Sequence, residues 1–456
     1  MTKINQDIFK AYDIRGIYPK ELNEEATYKI GAAFVKFLRK KTKKRDLKIV
    51  VGRDNRLSSP RLYKSLTRGI TDAGASVINI GLSTSPMFYW TVGYYKFDGG
   101  INITASHNPR EYNGFKLIRE KAIKISEKNG IKEIKNLSQI IKLSEFSKVK
   151  RGKIKKKNIL SEYIKDNLAL TDVKKIKKLK IVIDTANSVS GIVIPKIFKK
   201  TKCKIYHIFS KLDGNFPNHL PDPLKKENLK SLCEEVKRRK ADLGIAFDGD
   251  GDRIIFVNEK SKVIEAHFIT ALLADIILEK NPKEKILYDI RATQVIPEII
   301  KNRGGKPIIS RIGHSFISNK MIKDKIFFGG ELSGHYFLKK HYCCESPFFV
   351  LFKVLEKMSE TGKNISELIK PYQKYSHSGE INFKVKNKEK ILEKLEKKYK
   401  KGKISKLDGL RVDFKDWWFL VRASNTEPVL RLVIETKTKK KTEEKKKELT
   451  NLIREM

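Results

Sequence analysis

Three aspartates at alternate positions, Asp248, Asp250 and Asp252, stand in the run Phe247-Asp248-Gly249-Asp250-Gly251-Asp252-Arg253. Carboxylates this close repel one another unless a cation lies among them, and a hard ion such as Mg²⁺ takes oxygen ligands of this kind. The two glycines let the backbone bend so that the side chains converge. A calcium-loop reading fails. Glu259 falls at position twelve of such a loop, but position six is Arg253, where the turn needs a glycine, and the flanks 243–247 and 254–257 read as strands, not helices. A solvated acidic turn is the competing reading. The apolar strands on both sides favour a metal site, because they carry the loop to a sheet end.

Three further polar runs have chemical content. Thr104-Ala105-Ser106-His107-Asn108-Pro109 follows the apolar stretch 100–103. A serine hydroxyl there is a candidate nucleophile, one that needs activation or prior phosphorylation. Adjacent side chains do not face each other well, so His107 need not be its base, and taken alone the run reads as an ordinary turn. Gly329-Gly330-Glu331-Leu332-Ser333-Gly334-His335 presents Glu, Ser and His, a set suited to sugar hydroxyls. Arg422-Ala423-Ser424-Asn425-Thr426-Glu427-Pro428 offers a guanidinium, two hydroxyls, an amide and loop N–H groups, a natural phosphate cradle. The same run reads as a helix cap with Ser424 or Thr426 at the N-cap, and the two readings are compatible.

The elements that must hold these runs alternate. Apolar segments at 46–52, 76–81, 179–184, 241–247 and 284–289 read as strands, several ending in Gly or Asp, each preceded by a helix-period stretch. That alternation predicts α/β units with mostly parallel sheets, whose ligands sit at the carboxyl ends of strands. Composition shifts at the Lys/Ser-rich stretch 142–157, after Asp252, and near Pro371 predict four units: 1–150, 151–255, 256–370 and 371–456. The last reads as α+β, with strands near 381–385 and 417–423 and a charged final helix from Thr438.

Composition narrows the function classes. The 456 residues are 40% hydrophobic with 23 Phe, 16 Tyr and 3 Trp, enough for packed cores and against wholesale disorder. Four cysteines, two of them adjacent at 343 and 344, make neither a disulfide framework nor a CxxC metal pair, so reduced thiols in a cytoplasmic protein are expected. No secretory signal opens the chain, and the longest apolar stretch, 266–278, is interrupted by Thr270 and Asp275, so no membrane partner is expected. The formal net charge is +45, yet the lysines are spread along the chain without zinc-finger spacing or an RNP-like aromatic motif. No specific nucleic-acid partner is expected. The basic field attracts anionic ligands, phosphosugars included.

In order and spacing these motifs together resemble the α-D-phosphohexomutase superfamily, and most closely its phosphomannomutase/phosphoglucomutase branch. The likeness spans nearly the whole chain and also takes in Ala11-Tyr12-Asp13-Ile14-Arg15-Gly16, Asp213-Gly214-Asn215-Phe216-Pro217-Asn218-His219 and Gly313-His314-Ser315. It implies four domains around a central cleft, three related α/β mixed-sheet domains and a C-terminal α+β domain. It implies that Ser106 is the phosphorylated serine and, with Asp248, Asp250 and Asp252, holds Mg²⁺. Arg15, Lys116 and Arg253 match cations beside the transferring phosphoryl group. Glu331 and Ser333 match sugar-hydroxyl contacts, with Tyr12, His314 and His335 also at the substrate. Arg422, Ser424, Asn425 and Thr426 match the cradle for the other phosphate. Lys116, His107, His314 and His335 are candidates for proton transfer, while Arg291 matches a cation near the substrate and, always protonated, suits a clamp.

The implied reaction moves phosphate between O1 and O6 of a hexose, through a hexose 1,6-bisphosphate that turns round and also serves as activator. Phosphorylated hexoses are the implied partners, and a monomer or weak homodimer the implied state. Gly-Glu-Leu-Ser-Gly-His at 330–335 and Ser-Asn-Thr-Glu-Pro at 424–428 look like the mannose/glucose branch; phosphoglucosamine mutase activity is the same-fold alternative, and a nucleic-acid binder on a mutase scaffold the other. The chain departs from the pattern at Asp184-Thr185-Ala186-Asn187-Ser188, where relatives usually carry Gly, and at Cys343-Cys344-Glu345-Ser346, often Asp-Asp-Gly.

Overall fold

Strands Lys48–Arg53 and Gly99–Ile103 are buried along nearly their whole length, as expected of parallel strands covered on both faces. In the computed structural model, which describes residues 4–385, 387–423 and 429–455, they pair in parallel within a six-stranded sheet. A second sheet runs through residues 180–264 and a third through 285–345, five strands each; a fourth, of six strands, spans 376–436.

The first three sheets repeat one device. A parallel core strand is followed by a strand that turns back on it antiparallel: Gly99–Ile103 with Tyr112–Arg119, Leu243–Phe247 with Ile254–Asn258, and Phe328–Gly330 with Tyr336–Leu338. The three hairpin connections carry Ser106, the three aspartates, and Glu331 to His335 in turn. Beside each hairpin, another parallel strand ends in a matching turn. Asp54, Asp184 and Asp289 each accept a hydrogen bond through Oδ1 from the backbone N–H two residues on, at 3.0, 2.8 and 2.7 Å. In the second of these turns Ala186 (φ 47°) and Asn187 (φ 56°) hold the left-handed conformation that glycine adopts most readily, so the turn keeps its shape without glycine.

Two expected boundaries shift. The short, exposed, lysine-rich strand Ile154–Lys156 pairs with Ser76–Leu82 and belongs to the first sheet, beyond the expected divide at 150. Ile254–Asn258 and Val263–Ile264 complete the second sheet, so the divide at 255 cuts a strand. Their apolar run reads like the start of a new βα unit because a hairpin return strand buried on both faces lacks alternation. The fourth sheet is wholly antiparallel and is backed by the helix Lys439–Arg454, capped by the Thr438 side chain.

One apolar cluster runs without a break from the first domain to the third, through Trp90, Tyr163, Ile183, Phe247, Ile286, Phe328 and Phe352. The fourth domain has its own core and meets the third through Ile290, Trp418, Leu420 and Val433. Helix Ala266–Lys280, the longest apolar stretch, is buried in the shared core, and no helix among the described residues is long and apolar enough to cross a membrane.

That core encloses His341, 1% exposed, beneath the Tyr163 ring at 6.1 Å. Burial pushes its imidazole down to about 4. A folded value below the unfolded one near 6.5 means the unfolded chain binds the proton first. His341 therefore costs stability as pH falls through the interval from about 6.5 to about 4, by up to ~1.4 kcal/mol for each unit of separation. Urea unfolding of His341→Leu at pH 7.5 and pH 5 checks this: the variant should lose less stability over that range than the parent.

Candidate active site

The first and second hairpin loops meet backbone to backbone. A Cβ on Gly249 would lie 2.2 Å from the Ser106 carbonyl oxygen, so only glycine permits the approach. Ser106 itself has φ 50°, is 3% exposed, and donates from Oγ to Asp248 Oδ2 at 2.7 Å. The turn at Ser106 also brings His107 Nδ1 to 3.1 Å from Oγ. Adjacent side chains do face each other here, because the left-handed residue reverses the chain between them. Burial, with Arg253 and Arg15 close by, holds His107 well below its ordinary value, so it is neutral.

The serine loop is built around Arg56, which no motif announced. Its guanidinium is buried and donates to four carbonyls: Ser106 at 2.7 Å, Asn108 at 2.6 Å, Pro109 at 2.6 Å and Tyr112 at 3.1 Å. Asp54, at the strand end, stands 3.2 Å from its Nε. Arg15 reaches the same loop, donating to Asn108 Oδ1 at 2.6 Å and pairing with Asp13 at 2.5 Å.

Asp248, Asp250 and Asp252 are each at most 1% exposed, and one oxygen from each lies within 4.8 Å of the others. Lys116, from the first hairpin's return strand, puts Nζ 2.6 Å from Asp250 and 2.5 Å from Asp252. Burial and the two neighbouring aspartates push Asp248 well up. Burial opposes ionisation of Asp252 too, but Lys116 and His335 prevail and hold it well down. Asp250 accepts from the Ser85 hydroxyl and its backbone carbonyl from the Ser85 N–H, which ties the loop to a helix start in the first domain. Asp250 Oδ1 is buried without a hydrogen-bond partner. Three buried carboxylates with one oxygen unspent fit a divalent cation taken by oxygen ligands.

The third hairpin closes over the second. Arg253 and His335 form an antiparallel bridge between the two domains, and Ile254 N–H donates to the Gly334 carbonyl at 3.0 Å. His335 Nε2 is 3.2 Å from Asp252 and Nδ1 2.9 Å from Glu331, with Ser333 Oγ 2.8 Å from Nδ1. Burial disfavours its charge, but Asp252 and Glu331 outweigh it and raise the imidazole to about 9; against the same burial, His335 and Arg291 bring Glu331 down to about 2. Of the proton-transfer candidates, His335 and Lys116 are therefore cations and His107 a neutral base.

His314 packs parallel to His335 at 6.0 Å and edge-on to Tyr12 at 5.0 Å. Its Nδ1 accepts from Lys124, at 3.2 Å, a first-domain lysine locked between both oxygens of Glu345 at 2.5 Å in the Cys343–Ser346 segment. Sequence reading missed Arg56, Lys124 and Glu345. The departure at 343–346 was the one signal for the last of them.

Arg291 is bound by Asp289 at 2.9 Å, Glu380 of the fourth domain at 3.3 Å and Glu331 at 3.5 Å. Arg422 lies apart, buried 3.7 Å from Asp408, which accepts from Ile312 N–H two residues before His314. Ser424, Asn425 and Thr426 lie outside the described residues.

The chain matches the models for phosphoglucomutase/phosphomannomutase alpha/beta/alpha domains I, II and III over residues 6–144, 161–261 and 265–375, and for the C-terminal domain over 380–452. It is 40% identical to a phosphomannomutase of Methanocaldococcus jannaschii, covering 98% of this chain and 97% of that one. With a phosphomannomutase/phosphoglucomutase of Pseudomonas syringae the identity is 37%, over 96% and 92%. A crystal structure of a phosphoglucomutase/phosphomannomutase family protein from Burkholderia thailandensis superposes with TM-score 0.89 at 30% identity, over 98% and 97% of the two chains.

The close approach of the first two loops predicts the effect of Gly249→Ala. The added methyl separates Ser106 from the aspartates, and divalent-cation affinity measured by calorimetry should fall about tenfold or more, near 1.4 kcal/mol, with the thermal midpoint lowered as well because the clash is with buried backbone.

Proposed function

The chain belongs to the phosphoglucomutase/phosphomannomutase family, and we propose that it interconverts the 1- and 6-phosphates of mannose and glucose through a phosphorylated Ser106. It is a hexose phosphate mutase, an enzyme that moves a phosphoryl group within its substrate. The observation that carries the finer reading is the convergence of three equivalent hairpin loops on one acidic cluster, with Ser106 Oγ on Asp248 and His335 on Asp252. One loop brings the nucleophile, one the acidic cluster and one the hydroxyl-binding groups.

In this reading Mg²⁺ is held by Asp248, Asp250, Asp252 and an oxygen on Ser106, and when bound it neutralises charge on the transferring phosphoryl group. The chain's own cations do the rest. Lys116, Arg15 and Arg253 surround Ser106 and offset the charge that spreads over the phosphoryl oxygens. A sugar hydroxyl, O1 or O6, attacks the phosphorus of phospho-Ser106; the bond from phosphorus to Oγ breaks, the new ester forms, and Ser106 regains its hydroxyl proton. The hexose 1,6-bisphosphate then turns by about half a turn and stays oriented by the same clamps. In the second step Ser106 Oγ attacks the other phosphorus, and the bond from that phosphorus to the sugar oxygen breaks. The neutral His107, within reach of Oγ, accepts the serine proton, and the departing sugar oxygen takes up a proton to leave as the hydroxyl of the product.

Glu331 suits both orientations. It is ionised, fixed by His335 and by the Gly313 N–H at 3.2 Å, and so presents a rigid acceptor to sugar hydroxyls in either pose. His314, Tyr12 and Ser333 line the same face. Arg422 with Ser424, Asn425 and Thr426 holds the phosphate not in transfer, and Arg291 steadies that end from the third domain. Mannose and glucose differ only at C2, so a site that reads other hydroxyls takes both.

Phosphorus NMR tests the reading, using the full chain with Mg²⁺ and a trace of glucose 1,6-bisphosphate. Mannose 1-phosphate and glucose 1-phosphate should convert to 6-phosphates. Conversion of glucosamine 1-phosphate alone would assign the protein to the glucosamine branch, and no conversion would overturn the assignment. Ser106→Ala should cut turnover by about 10³-fold or more while circular dichroism stays unchanged. Asp250→Asn should raise the Mg²⁺ concentration for half-maximal rate by about tenfold or more, the loss of one charged ligand.

A further inference from the structure

A second group of potential ligands lies away from the cleft, where the third domain meets the fourth. Glu265 caps helix Ala266–Lys280, His267 sits in that helix's first turn, and His377 lies in strand Ser376–His377 at the entry to the fourth domain. One donor atom from each falls within 4.8 Å of the others.

His267 is the informative member. It is 1% exposed, and neither ring nitrogen has a hydrogen-bond partner. A buried polar ring left in this state, with a carboxylate and a second imidazole beside it, has donor atoms placed for a ligand. Its Nε2 stands 3.3 Å from Glu265 Oε2. Metal–ligand bonds of 2.0–2.1 Å at tetrahedral angles put neighbouring donors about 3.3 Å apart. The two rings stand at 74° with centroids 5.0 Å apart. His377 donates from Nε2 to the Arg291 carbonyl at 2.8 Å, which leaves Nδ1 with its lone pair. A backbone carbonyl on the far nitrogen is the usual way a ligating histidine is oriented. In this structure Nδ1 accepts from the Gly379 N–H at 3.1 Å, the one hydrogen bond an ion at Nδ1 displaces.

We propose that Glu265, His267 and His377 bind a zinc-like divalent cation that fastens the third domain to the fourth. Two imidazoles and one carboxylate select a borderline metal over Mg²⁺, which prefers oxygen throughout. The half-exposed Glu265 side chain closes on the ion from outside, and solvent supplies the fourth ligand. The clip holds His377, and through it the backbone of Arg291, where the third domain meets the fourth.

Co²⁺ is the probe, added to the chelator-treated full chain with Mg²⁺ in excess to fill the acidic loop. The expected result is one Co²⁺ per chain with the visible bands of a four-coordinate ion, and a rise in thermal midpoint. Glu265→Gln and His377→Ala, both at accessible positions, should weaken binding about tenfold or more, and His267→Phe should abolish it. Absence of the bands in the parent chain, as a simple Glu265–His267 hydrogen bond would give, overturns the proposal. Unchanged binding in all three variants overturns it as well. The readout needs no sugar phosphate, so it stands apart from the test of mutase activity.

Discussion

Three carboxylates held within 4.8 Å of one another and out of water are the constraint to which the rest of the site answers. Removing an ionised carboxylate from water costs several kcal/mol unless opposite charge is placed beside it. No single domain meets that demand. The second domain supplies the aspartates, the first supplies Lys116 and Ser85, and the third supplies His335. The carboxylates divide the work unevenly: Asp252, with most of the positive charge, stays ionised, while Asp248, nearest the serine, resists ionisation. The member least compensated by protein cations is thus the one that accepts from the Ser106 hydroxyl, where an added cation has most effect.

The fold answers this with one device used three times. A parallel strand delivers its loop to the carboxyl end of the sheet, and an antiparallel return strand fixes where the loop ends. In the first domain that return strand carries Lys116 opposite Asn102, so the counter-charge is set by strand register, not by loop conformation. In the second, the return strand begins at Ile254, next to Arg253, which bridges to His335 of the third. A single apolar core shared by these domains keeps the three loops in one frame. The fourth domain, with a separate core and a small apolar contact, is the element most able to move as a body.

Legibility in the sequence followed range. The aspartate loop stands out locally, three carboxylates with glycines between apolar strands, whereas the serine run, which has no glycine, and the Glu331–His335 run gain their meaning only from the order of the motifs along the chain. The parallel-sheet architecture was readable from strand spacing. What escaped was set by distant pairing. Arg56 is one arginine among many until four carbonyls from 106–112 close on it. Lys124 and Glu345 are 221 residues apart, and nothing local marks either as a partner. Ordinary backbone geometry gives no reason for His107 to face Ser106, and the positive φ at Ser106 supplies one. The expected divides at 150 and 255 part Ile154–Lys156 and Ile254–Asn258 from their sheets because the first is too short and charged to show a pattern and the second, legible as a strand, is too buried to show which sheet it joins.

The large positive charge of the chain takes its meaning from the difference between surface and cleft. The cations assigned to the proposed reaction, Lys116, Arg15, Arg253 and Arg291, are each matched by a carboxylate, so their charge is organised, not free. The excess of 98 basic over 53 acidic residues therefore lies mostly elsewhere, on solvated faces. A field of that sign raises the local concentration of phosphorylated sugars, and it does so without distinguishing one from another. In the proposed reaction discrimination then comes from short-range groups: an ionised Glu331, a cationic His335 and a His107 that stays neutral until it takes a proton. Attraction and selection are thus separated in space. That separation lets a strongly basic surface coexist with a site whose own charges are closely balanced.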